Sequence, residues 1–198
     1  MRHLLIGITG GIGSGKSAVT ATLRQRGEHV ICADEVSREV VQPGFPGAEA
    51  IRAEFGGEFF LPDGTLDRAK LAKHIFNDQE SVKRLNAILH PLIIGAIWER
   101  AASIEGRVFI DAPLLIETGM HEKTDYVWVI TADKETRIAR VMARDSAERD
   151  AVEKRMRNQM DDAQRISVAD EVIDNSGSLT DLRAQIDRLL QKEEYNEV

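Results

Sequence analysis

The residues of this chain with the clearest chemical potential form a glycine-rich stretch that ends on a lysine and a serine, in the pattern G-x-x-x-x-G-K-[ST]. Glycines let the backbone turn tightly and present its N–H groups to phosphate oxygens. The lysine can reach the β- and γ-phosphates of a nucleotide, and the serine hydroxyl can ligate Mg²⁺. The stretch therefore predicts a nucleoside triphosphate site, against the alternative of a glycine turn without a ligand. Its residues are Gly10, Gly11, Ile12, Gly13, Ser14, Gly15, Lys16 and Ser17.

The segments on either side of this phosphate loop support that interpretation, because the motif needs a strand before it and a helix after it. The run His3–Ile8 is apolar and predicts a buried strand, and the run Ser17–Leu23 has a helical pattern. The N-terminus of that helix adds partial positive charge to the phosphate site.

The composition is that of a globular domain rather than of a membrane or secreted protein. The 198 residues, 42% of them hydrophobic, can bury one core, and no apolar run approaches the ~20 residues of a membrane span. The N-terminus has no signal-peptide pattern, and the single Cys32 fits a reducing cytosol. The net charge of -7 disfavours nucleic-acid binding. We therefore expect a cytoplasmic protein, a monomer or weak homo-oligomer, with neither nucleic-acid nor membrane partners.

Five short apolar runs predict buried strands, and helical patterns lie between them. This alternation is typical of a doubly wound α/β fold, so we expect a five-stranded parallel sheet covered by helices. Gly27 is expected to end the first helix, and a capping box at Ser178 to begin the last. The predicted strands are His3–Ile8, His29–Ala33, Arg107–Asp111, Asp125–Ile130 and Glu171–Asp174.

The stretch between the second and third predicted strands is too long for one crossover helix. Helical patterns cover Leu66–Phe76 and Ser81–Ala102, and turn residues separate the helical pieces. Pro91 falls inside the second pattern, so a kink or a break is expected there. We interpret the stretch as a helical insertion over the sheet edge. The tail Lys192–Val198 is polar and is expected to fray.

Two acidic residues directly follow predicted strands, where ligands bind in open parallel sheets. Asp34 follows the second strand and could accept a proton from a substrate hydroxyl, or it could only cap the next helix. Asp111 ends the third strand, where an acid commonly holds Mg²⁺ beside a phosphate loop, and we favour that role over a helix cap. Glu117 lies nearby in sequence and could join the polar network.

Basic residues are concentrated between Arg137 and Arg157, seven against four acidic ones, in a chain that is acidic overall. Arg137, Arg140 and Arg144 have the spacing of one helix face. Arginine forks bind phosphate oxygens in pairs and can stabilise charge on a phosphoryl group in transfer. The stretch therefore predicts a basic lid; the alternative is a solvated helix face with internal ion pairs.

Two further residues have reactive side chains but no motif around them. His90 stands alone, which by itself favours a structural histidine over a functional one. Cys32 lies in an apolar strand and is expected to be inert.

Several short sequence motifs occur along this chain in the order in which they occur in one protein family. The most specific are T-G-G-I-G-S-G-K-S from Thr9 and D-A-P-L-L-I-E from Asp111. The others include Ala33-Asp34, Asp63 to Arg68, Leu89-His90-Pro91-Leu92, Arg140 with Ala143-Arg144-Asp145, Arg155 with Gln159, and Val172 to Gly177. Together they cover nearly the whole chain, and they resemble the dephospho-coenzyme A kinase family.

The resemblance implies that ATP, with Mg²⁺, phosphorylates the ribose 3′-hydroxyl of dephospho-coenzyme A, the small-molecule substrate, in the last step of coenzyme A synthesis. It implies Asp34 as general base, with Lys16 and Arg140 as further catalytic residues. Acceptor contacts are implied for Asp34, His90 and Arg140, and metal contacts for Ser17 and Asp111. Nucleotide contacts are implied for Gly11, Ile12, Gly13, Ser14, Gly15, Lys16, Ser17, Arg144 and Asn175, the last on the adenine side.

The resemblance also implies three parts. Residues 1–33, 104–136 and 169–198 would form a P-loop NTPase core, residues 34–103 the helical acceptor-binding domain, and residues 137–168 an arginine-rich lid. The chain departs from the family at Cys32, where many members have aspartate, at Asp161, where a proline is common, and at Arg165, where a lysine is expected.

Two other functions fit the phosphate loop. A kinase of another small metabolite or nucleotide would have the same core, because the acceptor pocket cannot be derived from motif spacing. A GTP-dependent switch would need an N-K-x-D guanine motif after a late strand, and the sequence at Thr131-Ala132-Asp133-Lys134 lacks it.

Overall fold

A computed structural model describes residues 3–76 and 78–195. Its sheet has five parallel strands in the order β2-β3-β1-β4-β5, which confirms the predicted α/β class. The predicted strands are all present, and their ends shift by one residue where they differ. Ala33 is the clearest case, because it begins a helix instead of ending a strand. The strands are β1 (His3–Thr9), β2 (His29–Cys32), β3 (Gly106–Asp111), β4 (Tyr126–Thr131) and β5 (Glu171–Asp174).

Helices connect the strands and begin and end where local signals predict. Gly27 follows the first helix with φ of 85°, as a C′ glycine does. Both hydrogen bonds of the Ser178–Asp181 capping box form at the last helix. The helices are α1 (Lys16–Gln25), α2 (Ala33–Glu39), α3 (Pro46–Phe55), α4 (Arg68–Ile75), α5 (Gln79–Ala102), α6 (Lys134–Asp145), α7 (Arg149–Arg157), α8 (Asp162–Ile166) and α9 (Leu179–Leu190), with 3₁₀ turns at Gly57–Phe59, Met120–Lys123 and Glu193–Tyr195.

The described chain divides into two compact units, residues 3–31 with 101–195 and residues 32–100. The first unit contains the core of the sheet. Ile6 and Ile8 of β1 are completely buried, and so is Trp128 of β4. Helices α1 and α9 pack apolar residues such as Leu23 and Ile186 into the same cluster. This burial fixes the end of β1 and the start of α1, between which the glycine loop lies.

The expected fraying of the chain's end is wrong for its described part. Tyr195 is fully buried and packs edge to face against Tyr126 and Trp128. Its hydroxyl is hydrogen-bonded to the Trp128 indole and to Glu171. Burial of this one aromatic ring is enough to hold the otherwise polar segment against β4. The rest of that prediction, residues 196–198, lies outside the described residues.

The second unit is built from helices, and its longest helix contains Pro91, where a kink or a break was expected; the kink stays a prediction. Helix α5 continues through Pro91 for 24 residues without the expected break. A proline removes one N–H donor and crowds the carbonyl four residues back. Pro91 is exposed, and about three turns of helix on each side of it keep their own hydrogen bonds. No helix of the described residues is long and apolar enough to cross a bilayer.

Two glycines of this unit should respond oppositely to alanine. Gly95 lies inside α5, and a Cβ there would meet no atom within 4 Å. Gly95→Ala should raise the free energy of unfolding by about 0.5–1 kcal/mol, because alanine loses less backbone entropy in a helix. Gly47→Ala is the matched control and should lower it, because its Cβ would lie 2.4 Å from the Val40 carbonyl oxygen. Chemical denaturation of both variants measures the difference, and a destabilised Gly95→Ala would contradict this reading of α5.

Candidate active site

The glycine loop lies between the end of β1 and the first turn of α1. Gly13 and Gly15 have φ of 77° and 86°, which strains any residue with a side chain. Space excludes a side chain as well: a Cβ on Gly13 would lie 2.5 Å from the Arg137 carbonyl oxygen, and one on Gly15 would lie 2.0 Å from Asn175 Nδ2. Both glycines are therefore required by conformation and by contact.

The loop presents a set of backbone donors that the protein does not use. The N–H groups of Gly13, Gly15, Lys16 and Ser17 have no hydrogen-bond acceptor within residues 3–76 and 78–195. The Ser14 hydroxyl is buried and also lacks a partner. Unpaired donors at a helix N-terminus attract anions, because the helix dipole adds its positive end. The arrangement of donors in this part of the loop is therefore suited to phosphate.

A buried ion pair lies beside these donors. Lys16 Nζ and Asp111 form an ion pair and a hydrogen bond, and their side chains are only 16% and 8% exposed. The pairing of Ile8 with Asp111 in the register of β1 and β3 brings the acid to the loop. Among the described residues no cluster of three His, Cys, Asp or Glu side chains could hold a metal by itself. A magnesium site here would use Asp111, the Ser17 hydroxyl and phosphate oxygens, as Mg²⁺ commonly does.

Arg140 and Asn175 meet at the same loop. Asn175 is 5% exposed; its Nδ2 donates to the Ser14 carbonyl at 2.8 Å, and its own carbonyl accepts from Arg140 Nη2 at 2.9 Å. Arg140 Nη1 is buried, has no hydrogen-bond partner in the described part of the chain, and lies 3.4 Å from where a Cβ on Gly15 would be. An unpaired guanidinium donor beside unpaired backbone donors extends the anion site.

Other arginines of the basic stretch are exposed and form ion pairs with acidic neighbours. Arg144 is exposed and forms a bidentate pair with Asp145, which also accepts from Arg155 at 2.8 Å. Hydrogen bonds from Arg144 and then Arg155 lower the pKa of Asp145 to about 2, so this carboxylate stays ionised at neutral pH. Arg149 pairs with Glu135 and Glu153, as the solvated-face alternative predicts.

Sequence reasoning missed three polar residues that hold the loop. Arg137 is 4% exposed, donates from Nε to the Ile12 carbonyl at 2.9 Å and pairs with Asp162. Arg165 is 1% exposed and pairs with the same acid. Gln159 Oε1 accepts from the Ile12 N–H at 2.8 Å. Helical spacing placed Arg137 in a basic lid, and the family resemblance singled out Gln159 and Arg165. Neither signal predicts contacts to the loop backbone or distinguishes buried from exposed arginines.

Asp34 and His90 belong to the second unit. Asp34 is exposed in the first turn of α2, whose N-cap is Cys32, so the alternative that Asp34 caps this helix is wrong. The helix begins directly after β2, which moves its cap two residues ahead of the acid. His90 is half-buried on α5, and Cys32 is half-buried with a free thiol.

Comparison with known proteins gives both a family and a fold. The family model for dephospho-CoA kinase matches residues 4–181. The dephospho-CoA kinase of Frankia casuarinae is 46% identical over 188 residues, which are 94% of this chain and 82% of that protein. A crystal structure of a Thermus thermophilus protein has a TM-score of 0.82 at 35% identity, covering 96% of this chain and 97% of that one. The dephospho-CoA kinase from Campylobacter jejuni has a TM-score of 0.66 at 26% identity, covering 94% of this chain and 95% of that one.

The matched region contains both the phosphate loop and the Asp111 block, and the matches extend over almost the whole length of the chain. The resemblance drawn from those motifs is thereby confirmed. The chain belongs to the dephospho-CoA kinase family.

Proposed function

We propose that this chain transfers the γ-phosphoryl group of ATP to the ribose 3′-hydroxyl of dephospho-CoA, giving ADP and CoA. The observation that carries the proposal is the phosphate loop of a dephospho-CoA kinase family member with its backbone donors unpaired and Lys16 beside them. Phosphoryl transfer has a loose transition state, so positioning and charge neutralisation supply most of the catalysis. The loop offers both.

On the donor side, we assign the phosphates to the unpaired N–H groups of the loop, to Lys16 and to Arg140. Mg²⁺, when bound, would neutralise charge on the β- and γ-phosphate oxygens. Asp111 and Ser17 fit such an ion, because one carboxylate and one hydroxyl leave its remaining positions to phosphates and water. Lys16 would then exchange Asp111 for phosphate oxygens.

On the acceptor side, we assign residues 34–103 to dephospho-CoA, with Asp34 accepting the proton of the 3′-hydroxyl and His90 and Arg140 in contact with the acceptor. Asp34 is an exposed carboxylate and therefore accessible to such a substrate. We assign residues 137–168 as the lid and Arg144 as a phosphate contact, released from Asp145 when the nucleotide binds. The resemblance implies that Asn175 contacts the adenine, whereas its hydrogen bond to the Ser14 carbonyl favours a role behind the phosphate loop.

The acceptor is tested by coupling ADP release to a spectroscopic signal with ATP, Mg²⁺ and a panel of hydroxyl acceptors. We expect turnover with dephospho-CoA, no turnover with AMP or shikimate, and loss of turnover when EDTA removes the metal. Phosphorylation of AMP but not of dephospho-CoA would reject the proposed acceptor while leaving the donor site intact.

Lys16→Ala should lower kcat at least about a hundredfold, the typical effect of removing one preorganised group that stabilises transition-state charge. The variant loses the cation on the phosphates and also leaves Asp111 without its partner. Lys123→Ala, at an exposed lysine, is the matched control and should keep wild-type kcat. Near-normal turnover of a folded Lys16→Ala protein would remove Lys16 from the mechanism.

Asp34→Asn should lower kcat by about 10²-fold, within the usual range of general base catalysis, with little change in the Kd of ATP. The amide keeps the shape of the side chain but cannot take the proton. Asp150→Asn, also at an exposed helical aspartate, controls for the loss of one negative charge. If Asp34→Asn turned over dephospho-CoA at the wild-type rate, the general base would have to be sought elsewhere.

A further inference from the structure

Two carbonyl groups of the phosphate loop are held by buried side chains. The Ile12 carbonyl accepts from Arg137 Nε at 2.9 Å, and the Ser14 carbonyl accepts from Asn175 Nδ2 at 2.8 Å. Each carbonyl belongs to the same peptide unit as one of the unpaired donors: Ile12 shares its unit with the Gly13 N–H, and Ser14 shares its unit with the Gly15 N–H.

A trans peptide unit is planar, and its C=O and N–H bonds point in opposite directions. A side chain that fixes the carbonyl on one side of the unit therefore fixes the direction of the N–H on the other side. Gly13 and Gly15 need this help more than other residues, because glycine has the greatest backbone freedom. Without an external hydrogen bond, each peptide unit could rotate its donor away from the phosphate.

Both side chains are themselves anchored. Arg137 pairs with Asp162, which also pairs with Arg165. The backbone of Asn175 donates to the Thr131 carbonyl at 2.8 Å and accepts from Arg140. Arg137 and Asn175 are 4% and 5% exposed, and each donates one side-chain hydrogen bond to a loop carbonyl.

We propose that Arg137 and Asn175 are positioning residues that aim the Gly13 and Gly15 N–H groups at the phosphates through the two peptide units, without touching the nucleotide. The inference rests on the proposed nucleotide site but not on the identity of the acceptor. For Asn175 this role takes the place of the adenine contact that the resemblance implies. A positioning role predicts that loss of Asn175 weakens phosphate binding, and an adenine contact predicts that it weakens adenosine binding.

Isothermal titration of the full chain with inorganic tripolyphosphate and, separately, with adenosine distinguishes these roles. Asn175→Leu keeps the size of the side chain and removes its donor. It should weaken tripolyphosphate binding by about tenfold or more, the effect of misaligning one charge-assisted hydrogen bond, and leave adenosine binding unchanged. Asn86→Leu, at an exposed asparagine of α5, should bind both ligands as the wild type does.

Arg137→Met tests the second peptide unit, with Arg26→Met, at an exposed arginine that is ion-paired with Asp187 outside the lid, as its control. In ¹H–¹⁵N spectra of the wild type, tripolyphosphate should shift the Gly13 and Gly15 amides strongly. Arg137→Met should reduce the shift of the Gly13 amide more than that of the Gly15 amide. Asn175→Leu should reduce the shift of the Gly15 amide more than that of the Gly13 amide. The same spectra show whether each variant is folded; if Arg137→Met is not, Arg137→Lys, which keeps a cation but lacks Nε, replaces it.

Unchanged tripolyphosphate affinity in a folded Asn175→Leu protein would overturn the inference, and so would an equal loss of adenosine affinity. Failure of the proposed function is a separate result: the wild type would bind tripolyphosphate and the variants would not, yet no phosphate would reach dephospho-CoA.

Discussion

Unsatisfied peptide donors are costly in a protein interior, and the structure is organised around keeping several of them unpaired at one place. Four N–H groups of the phosphate loop and of the first turn of α1 have no acceptor among the described residues. For two of them, those of Gly13 and Gly15, the carbonyl of the same peptide unit accepts a hydrogen bond from a buried side chain. Those bonds come from elements far apart in sequence, α6 and the segment after β5. The central position of β1 in the sheet brings both elements to the loop, since β1 pairs with β3 on one side and β4 on the other.

The cationic side chains around the phosphate loop belong to a chain that is acidic overall. A chain with net charge -7 that binds a polyanion needs its cations concentrated at one site. In the absence of the ligand, those cations need other partners. Several of these cations have an acidic partner: Lys16 pairs with Asp111, Arg137 and Arg165 pair with Asp162, and Arg144 pairs with Asp145. Arg140 instead donates to the backbone carbonyl of Asn175. Buried cations without such partners would be strongly destabilising. The acidic residues of the site thus stabilise the protein before they take part in any chemistry.

The sequence predicted those features that depend on neighbouring residues. Apolar runs located all five strands, and the capping box at Ser178 and the glycine at position 27 located helix ends. A local rule failed where burial decided the outcome, at Tyr195, because a polar segment there contains a buried aromatic ring. At Pro91 the long helix continues in spite of the missing donor. The same limit applies to the site. The motif identified the loop, and helical spacing grouped Arg137 with Arg140 and Arg144 as arginines of a basic lid. The bond from Arg137 to the Ile12 carbonyl could not be predicted, because the acid that holds Arg137 and Arg165, Asp162, meets them only in three dimensions.

The Lys16–Asp111 pair has a thermodynamic consequence. A nucleotide alone would draw Lys16 away and leave a buried carboxylate unpaired, and a cation alone would draw Asp111 away and leave a buried ammonium unpaired. Each event by itself incurs the penalty of an uncompensated charge in a site with little water. Arrival of both together exchanges one satisfied pair for two. Affinity for the nucleotide and affinity for the cation would therefore rise together, and by linkage each would strengthen the other by the same factor. In this way a single ion pair would make the site selective for the metal–nucleotide complex over either component.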